Sequence, residues 1–268
     1  MKQEIEFLRV DPAGNITAFV LTPVPHSEWV SVGRAIMEQA DSTIEQVGFI
    51  SFDEGGNPAR MDMMGGEFCG NATRSFGLYS AMKRGAKRPT SQTVSVSGAS
   101  EPMTVYVDPQ RGEASVFLPP VHDVLTYTVD GISGKLVQME GIHHFIVTVP
   151  ESRGFVDQAL EAMMRNDSSD AYGVLFLNEK THVMIPYVYV TKADTLYREG
   201  SCGSGSFAVA SAYAEDLNLL SHPVALKQPH GTIQLSAKKE GESIRCSIGG
   251  AVTISDPIHA TLSVSGTH

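Results

Sequence analysis

The chain carries the same succession of short motifs twice, and this echo confines it to folds built from two similar halves. The stretch AGNITAFVLTP (Ala13 to Pro23) aligns with EGIHHFIVTVP (Glu140 to Pro150), glycine on glycine and proline on proline, 127 residues apart. EQVGFISF from Glu45 aligns with DAYGVLFL from Asp170, and Gly48 falls on Gly173 at an offset of 125. CGNATRSF from Cys69 aligns with CGSGSFAV from Cys202 at an offset of 133, and Gly98 falls on Gly231 at that same offset. The matches keep their order at a nearly constant spacing, close to half of the 268 residues. A duplication giving two lobes follows.

Each half reads alike. Extended apolar segments (FLRV and ITAFVLT; HHFIVTV) have the β-branched and aromatic content of strands. The stretches SEWVSVGRAIMEQAD and SRGFVDQALEAMMRND follow as amphipathic helices, with Val32, Ala35, Ile36 and Ala40 at helical spacing in the first. Ser27 and Ser152 open them as N-caps. Another strand (QVGFISF; GVLFLN) leads into a cysteine loop and a second helix, and hairpins close each half. Pro119-Pro120 marks the boundary, giving lobes 1–120 and 121–268. The expected class is α+β, helices packed on mostly antiparallel or mixed strands.

Composition narrows the partners. A content of 42% hydrophobic and 19% charged residues suits a cored globular protein. A net charge of −10 argues against nucleic acid and anionic membranes, which need a basic face. No segment approaches 18 consecutive apolar residues, and MKQEIEFLRV lacks the apolar run of a signal peptide, so a cytoplasmic protein is expected. Cys69, Cys202 and Cys246 are too few for a disulfide framework, and neither CxxC nor HExxH occurs, so no metal is expected.

A free cysteine is commonly a small buried hydrophobe, the reading given to Cys246 between apolar neighbours in SIRCSIGG. Cys69 and Cys202 lie instead in glycine loops ahead of helical patterns: Ala72, Phe76, Tyr79 and Met82 form an apolar stripe after the first, and Phe207, Ala210 and Ala214 follow the second. Asn71 or Thr73 is placed to cap the first helix. A thiol at a helix start meets free N–H groups and a positive dipole end, which lower its pKa. Two such thiols suit proton removal from one face of a carbon and delivery to the other, with helix N-termini stabilising the developing enediolate and no cofactor required. A disulfide between them, or a redox-sensing pair, remains open on the residues alone.

These residues resemble the diaminopimelate epimerase and proline racemase superfamily of cofactor-independent two-cysteine enzymes. CGN at Cys69 and CGSG at Cys202 match its signature loops, and AGNIT at Ala13 its N-terminal segment. GEFCGNAT, EQVGFI, SCGSG and the QP-x-G of Gln228 to Gly231 are similar to the histidine racemases that make D-histidine for staphylopine-type opine metallophores. The resemblance implies two pseudo-symmetric α+β lobes, each a barrel-like sheet around a central helix, with the active site between them and the last strand able to return to the first lobe. It implies a PLP-independent amino-acid racemase acting on histidine, dimeric as is common in the superfamily. By matched position, Asn15, Gln46, Gly70, Asn71, Gly203 and Ser204 would hold the α-carboxylate and α-amine. Glu199 would orient the second loop or bind the ammonium, and Glu45 would accept an imidazole N–H. His143, His144 and His230 read as scaffold or surface residues. Asn15-Ile16-Thr17, the absence of a glutamate-arginine pair in TLYREGSC, and Met64 in place of an asparagine depart from diaminopimelate epimerase. A site without those partners binds a distal zwitterion poorly. An epimerase of another amino acid (diaminopimelate, proline or hydroxyproline) and a non-catalytic amino-acid-binding relative are the alternatives.

Overall fold

The computed structural model describes residues 2–191 and 194–264. The chain divides into two units, Met1–Val116 together with Gly249–His268, and Phe117–Ile248. Both mix helices and strands, so the class is α+β. Residues 249–264, which a boundary at Pro119-Pro120 alone assigns to the second half, group with the first unit.

In the first unit the strand Lys2–Asp11 pairs antiparallel with Thr17–Val20 along one edge and with Ile258–Ser263 along the other. Thr17–Val20 then pairs parallel with Gln46–Phe52, which needs a crossover. Helix α1 (Trp29–Ala35) supplies it. The sheet continues through Pro58–Met63, Thr90–Val96, Met103–Asp108 and Glu113–Phe117. Val32, Ala35 and Ile36 pack on Ile5, Phe7, Val20, Val47 and Phe49, and the Trp29 ring stacks on Phe49 at 4.8 Å.

Two local expectations fail here. Ser27 caps nothing: Pro25, fixed at φ −57°, opens a 3-10 turn over His26–Glu28, and α1 starts without a side-chain cap. After Ala35 the helix widens into a π turn, Ile36–Ala40, which leaves Ala40 exposed.

Helix α2 (Gly70–Lys83) is buried on every side from Gly70 to Ala81, while Met82, assigned to its apolar stripe, is 48% exposed. Such a helix is a core element rather than an amphipathic one. Its small residues let strands approach closely: a Cβ on Gly77 would stand 2.5 Å from the Val105 side chain.

The second unit runs through Asp123–Val129, Ile132–Met139 and Ile142–Val147, then crosses by α3 (Arg153–Asn166) into Ala171–Asn178, parallel to Ile142–Val147. Ser152 caps α3 by accepting from the Phe155 N–H at 3.4 Å. The buried positions Phe155, Val156, Ala159, Leu160 and Met163 repeat at three and four residues, the period that turns one face of a helix inward. Phe155 joins a run of edge-on and tilted rings from Tyr127 through Phe145 and Phe176 to Tyr187. Val183–Val190, Thr195–Arg198, Val224–Gln228 and Gly231–Glu240 extend the sheet. Helix α4 (Gly203–Ala212) packs against Gly231–Glu240, with Gly205 to Ala210 buried. No helix among the described residues is long and apolar enough to cross a membrane.

Candidate active site

The first cysteine is itself the cap of its helix. Cys69 has extended backbone (φ −130°, ψ 111°), and its Sγ accepts from the Ala72 N–H at 3.4 Å. The Cys69 carbonyl takes both the N–H and the hydroxyl of Thr73, each at 2.8 Å. The capping role anticipated for Asn71 or Thr73 falls to the thiol, because Asn71 already lies inside the helix and the Thr73 hydroxyl turns back to a carbonyl. Gln46, first residue of its strand, brings Oε1 to 3.2 Å from Cys69 Sγ, where the thiol donates.

Asn71 is buried, with its Oδ1 receiving the Arg74 Nε–H at 3.2 Å and its Nδ2 lacking any partner. Arg74, fully buried in α2, donates further to the carbonyls of Pro12 (2.8 Å), Gly250 (3.0 Å) and Ala251 (3.3 Å). It thereby ties the cysteine helix to the turn before Asn15. That turn holds Ala13 at φ 69° and Gly14 at φ 97°, with the Gly14 N–H on the Asp11 carboxylate at 2.7 Å. A positive φ at alanine is strain that its surroundings must impose. Burial lowers the Arg74 guanidinium to about 10, opposed by the neighbouring Cys69 and Asp11, so it is charged at neutral pH. Asn15 is 7% exposed and its carbonyl accepts from the Thr17 hydroxyl at 3.3 Å. Glu45 is exposed beside Gln46, its backbone N–H on the Ile16 carbonyl.

The second cysteine repeats the turn. Cys202 (φ −120°, ψ 110°) caps α4, its Sγ accepting from the Gly205 N–H at 3.3 Å. Its carbonyl takes the N–H (3.0 Å) and the hydroxyl (2.6 Å) of Ser206. Gln228 fastens this loop: Oε1 accepts from the Cys202 N–H at 2.7 Å while Nε2 donates to Ser206 Oγ at 2.9 Å. Ser204 Oγ stands 3.5 Å from Cys202 Sγ and 3.0 Å from His144 Nε2. Gly203 opens the helix beside them.

The two thiols are not equivalent. Cys69 is half-buried; Cys202 is buried. A lowered pKa was anticipated at both helix starts, but Cys202 is raised well above the ordinary thiol value. Burial is the main cause, followed by the Glu199 carboxylate, which hydrogen-bonds the thiol; the Ser204 hydroxyl and the Gly205 N–H oppose both more weakly. Desolvation here outweighs the helix dipole. Cys246 is buried in its strand, its thiol on the Ala210 carbonyl at 3.3 Å and pushed up to about 11 by burial. Cys69, Cys202 and Cys246 form no disulfide. Among the described residues no three His, Cys, Asp or Glu side chains converge as a metal site.

Residues 4–257 match the model of the histidine racemase CntK N-terminal domain. The chain belongs to this family. A histidine racemase of Fusobacterium nucleatum is 29% identical over 243 residues, 87% of this chain and 89% of that protein. A histidine racemase of Staphylococcus aureus is 28% identical over 264 residues, 94% of this chain and 96% of that protein. The fold is similar to that of a predicted epimerase from Pseudomonas aeruginosa (TM-score 0.65, 14% identity, 96% of this chain and 99% of that one). It is also similar to that of a hydroxyproline epimerase from Agrobacterium vitis, determined with trans-4-hydroxy-L-proline (TM-score 0.59, 11% identity, 96% and 92%).

Against this family frame, the sequence reading passes over Arg74 and Ser206, takes His144 for a scaffold or surface residue, and names Gln228 only within the QP-x-G run. Gln228 had a visible signal in that shared run. Arg74 had none: an arginine one turn into a helix reads as a solvated charge, and only its complete burial reveals otherwise.

Proposed function

We propose that this protein interconverts L- and D-histidine by cofactor-independent proton transfer at Cα, with Cys69 and Cys202 as the two acid–base groups. The observation that carries the proposal is the pair of thiols that each cap a helix start, in a chain of the histidine racemase family. One thiolate takes the Cα proton and becomes a thiol; the charge passes to the carboxylate as an enediolate. The other thiol delivers its proton to the opposite face of the carbon and is left as thiolate, ready for the opposite enantiomer. Cys202, protonated through burial and Glu199, enters the cycle as the donor. Gln46 suits the Cys69 position to both states, since its amide accepts from a thiol through Oε1 and, once rotated, donates to a thiolate through Nε2.

Asn15, Gln46, Gly70 and Asn71, with Gly203 and Ser204, hold the α-carboxylate and α-amine. The Asn71 amide is a natural carboxylate donor: Arg74 can only donate, so it claims Oδ1 and leaves Nδ2 for the ligand. Glu45 accepts an imidazole N–H, and Glu199 orients the second loop. We extend the reading to two pseudo-symmetric lobes, each a barrel-like sheet around its cysteine-capped helix, in a cytoplasmic homodimer that supplies D-histidine to an opine metallophore. The shared runs GEFCGNAT and SCGSG support this.

The test is incubation with L-histidine in D2O, which should yield D-histidine carrying deuterium at Cα. Cys69→Ser or Cys202→Ser racemising near the wild-type rate would sink the two-thiol assignment. A panel of L-amino acids read by chiral chromatography checks the side chain: faster turnover of proline or diaminopimelate than of histidine would replace the substrate while leaving the chemistry intact.

A further inference from the structure

His144 stands in the buried strand Ile142–Val147, in register with Gly173 of the neighbouring parallel strand. It has no exposed surface, and Gly173 is what makes room for it: a Cβ there would collide with the His144 ring at Nδ1. Burial pushes the imidazole down to about 3, so at neutral pH it is uncharged and carries a single N–H. One nitrogen, Nε2, lies 3.0 Å from Ser204 Oγ; the other, Nδ1, is buried without a hydrogen-bond partner. An orphaned buried N–H is rarer and costlier than an unused acceptor lone pair. The single proton is therefore assigned to Nε2, which makes the imidazole a donor to Ser204 Oγ. That leaves the serine's own hydrogen free to point at Cys202 Sγ, 3.5 Å away.

We infer that His144 is a positioning residue: through Ser204 it holds a hydroxyl as a fixed donor to the Cys202 sulfur, preparing that sulfur to carry negative charge once its proton has been given up. The relay rests on the reading of Cys202 as an acid–base thiol, and it adds a second donor to that sulfur beside the Gly205 N–H. The Glu199 carboxylate favours the protonated form, and burial does the same. Against them stand the Gly205 N–H and this hydroxyl. The other titratable groups close to the relay are His143, next along the strand, and His230, whose ring lies against Gly200 in the segment leading to Cys202. Neither donates to the sulfur. At Cys69 the sulfur meets the Gln46 amide.

The experiment measures the alkylation of Cys202 by iodoacetamide as a function of pH, resolved by peptide mass spectrometry so that Cys69 and Cys246 report separately, with no substrate present. Ser204→Ala should move the Cys202 midpoint up by about one pH unit, roughly a tenfold loss of thiolate at a fixed pH below it. His144→Phe should move it as far, and the double variant no further than either single one. His144→Gln, which keeps a side-chain N–H donor, should retain most of the wild-type midpoint, and the Cys69 midpoint should stay put throughout. An unmoved midpoint in Ser204→Ala overturns the relay, as does a shift in Ser204→Ala that a folded His144→Phe fails to reproduce. Should His144→Phe not fold, His144→Gln decides: a midpoint as high as that of Ser204→Ala shows that an N–H donor at this position does not orient the serine. Because no turnover is read, failure of the relay and failure of the racemase assignment give different results.

Discussion

Two thiols on the same turn differ in burial and also in a neighbour, the neutral amide of Gln46 beside Cys69 and the carboxylate of Glu199 beside Cys202. Exchanging that difference is a direct test of its importance. Gln46→Glu places a negative charge against Cys69, which disfavours its thiolate. Racemisation at neutral pH should fall by about tenfold, with partial recovery as pH rises, since one pKa unit changes the thiolate fraction by that factor. A pH–rate profile checks it, and an unchanged profile would mean that Gln46 serves geometry alone. At this scale the sequence was informative about identity and poor about environment. The cysteines, Gln46 and Asn71 stood out through repetition and family likeness. That Cys202 is raised rather than lowered, and that a cysteine rather than Asn71 or Thr73 caps α2, depends on burial and on backbone geometry that no spacing rule reports.

Helix α2 shows why patterns sometimes mislead at the scale of elements. Its sequence offered a stripe at three- and four-residue spacing, yet nearly the whole helix is buried and the stripe ends on the exposed Met82. The information lay in small residues such as Gly77, which a strand approaches closely. Gly77 separates two opposing effects. In an exposed helix Gly→Ala stabilises by up to about 1 kcal/mol. Here the new methyl would stand 2.5 Å from Val105, and overpacking costs roughly 1–3 kcal/mol. Gly77→Ala should therefore lower the urea midpoint of the protein, and a raised midpoint would show that Val105 yields freely. The strand–helix–strand crossovers through α1 and α3 were legible from composition and from the echo between the halves, whereas the π turn after α1 was not, since the apolar period runs through it unbroken.

For the molecule as a whole, His144 gives acid stability a definite window. Its folded value of about 3 lies below the ordinary histidine value of 6.5. Between those values the unfolded chain binds a proton that the native protein refuses, so stability falls as pH drops through the window and is complete above it. The loss from this one group approaches 1.4 kcal/mol per pH unit. Comparing urea midpoints of wild type and His144→Gln at pH 7 and pH 4.5 should show the smaller acid loss in the variant; equal losses would mean that other groups control acid unfolding. The sequence reading put the boundary at Pro119-Pro120, and the second unit begins at Phe117. The return of residues 249–264 to the first unit left no local mark, because it depends on pairs as distant as Glu4 and Thr261, 257 positions apart.

That return also orders events during synthesis. Phe117–Ile248 is continuous and can complete itself as it leaves the ribosome. The first unit cannot, since Lys2–Asp11 lacks its outer partner Ile258–Ser263, and Arg74 lacks the carbonyls of Gly250 and Ala251, until residues 250–263 are translated. At ordinary elongation rates the interval is on the order of tens of seconds. For that time a nascent chain carries a buried-type arginine and an open sheet edge with nothing to cover them, a state in which a chaperone, or a neighbouring nascent copy, competes with its own distant end.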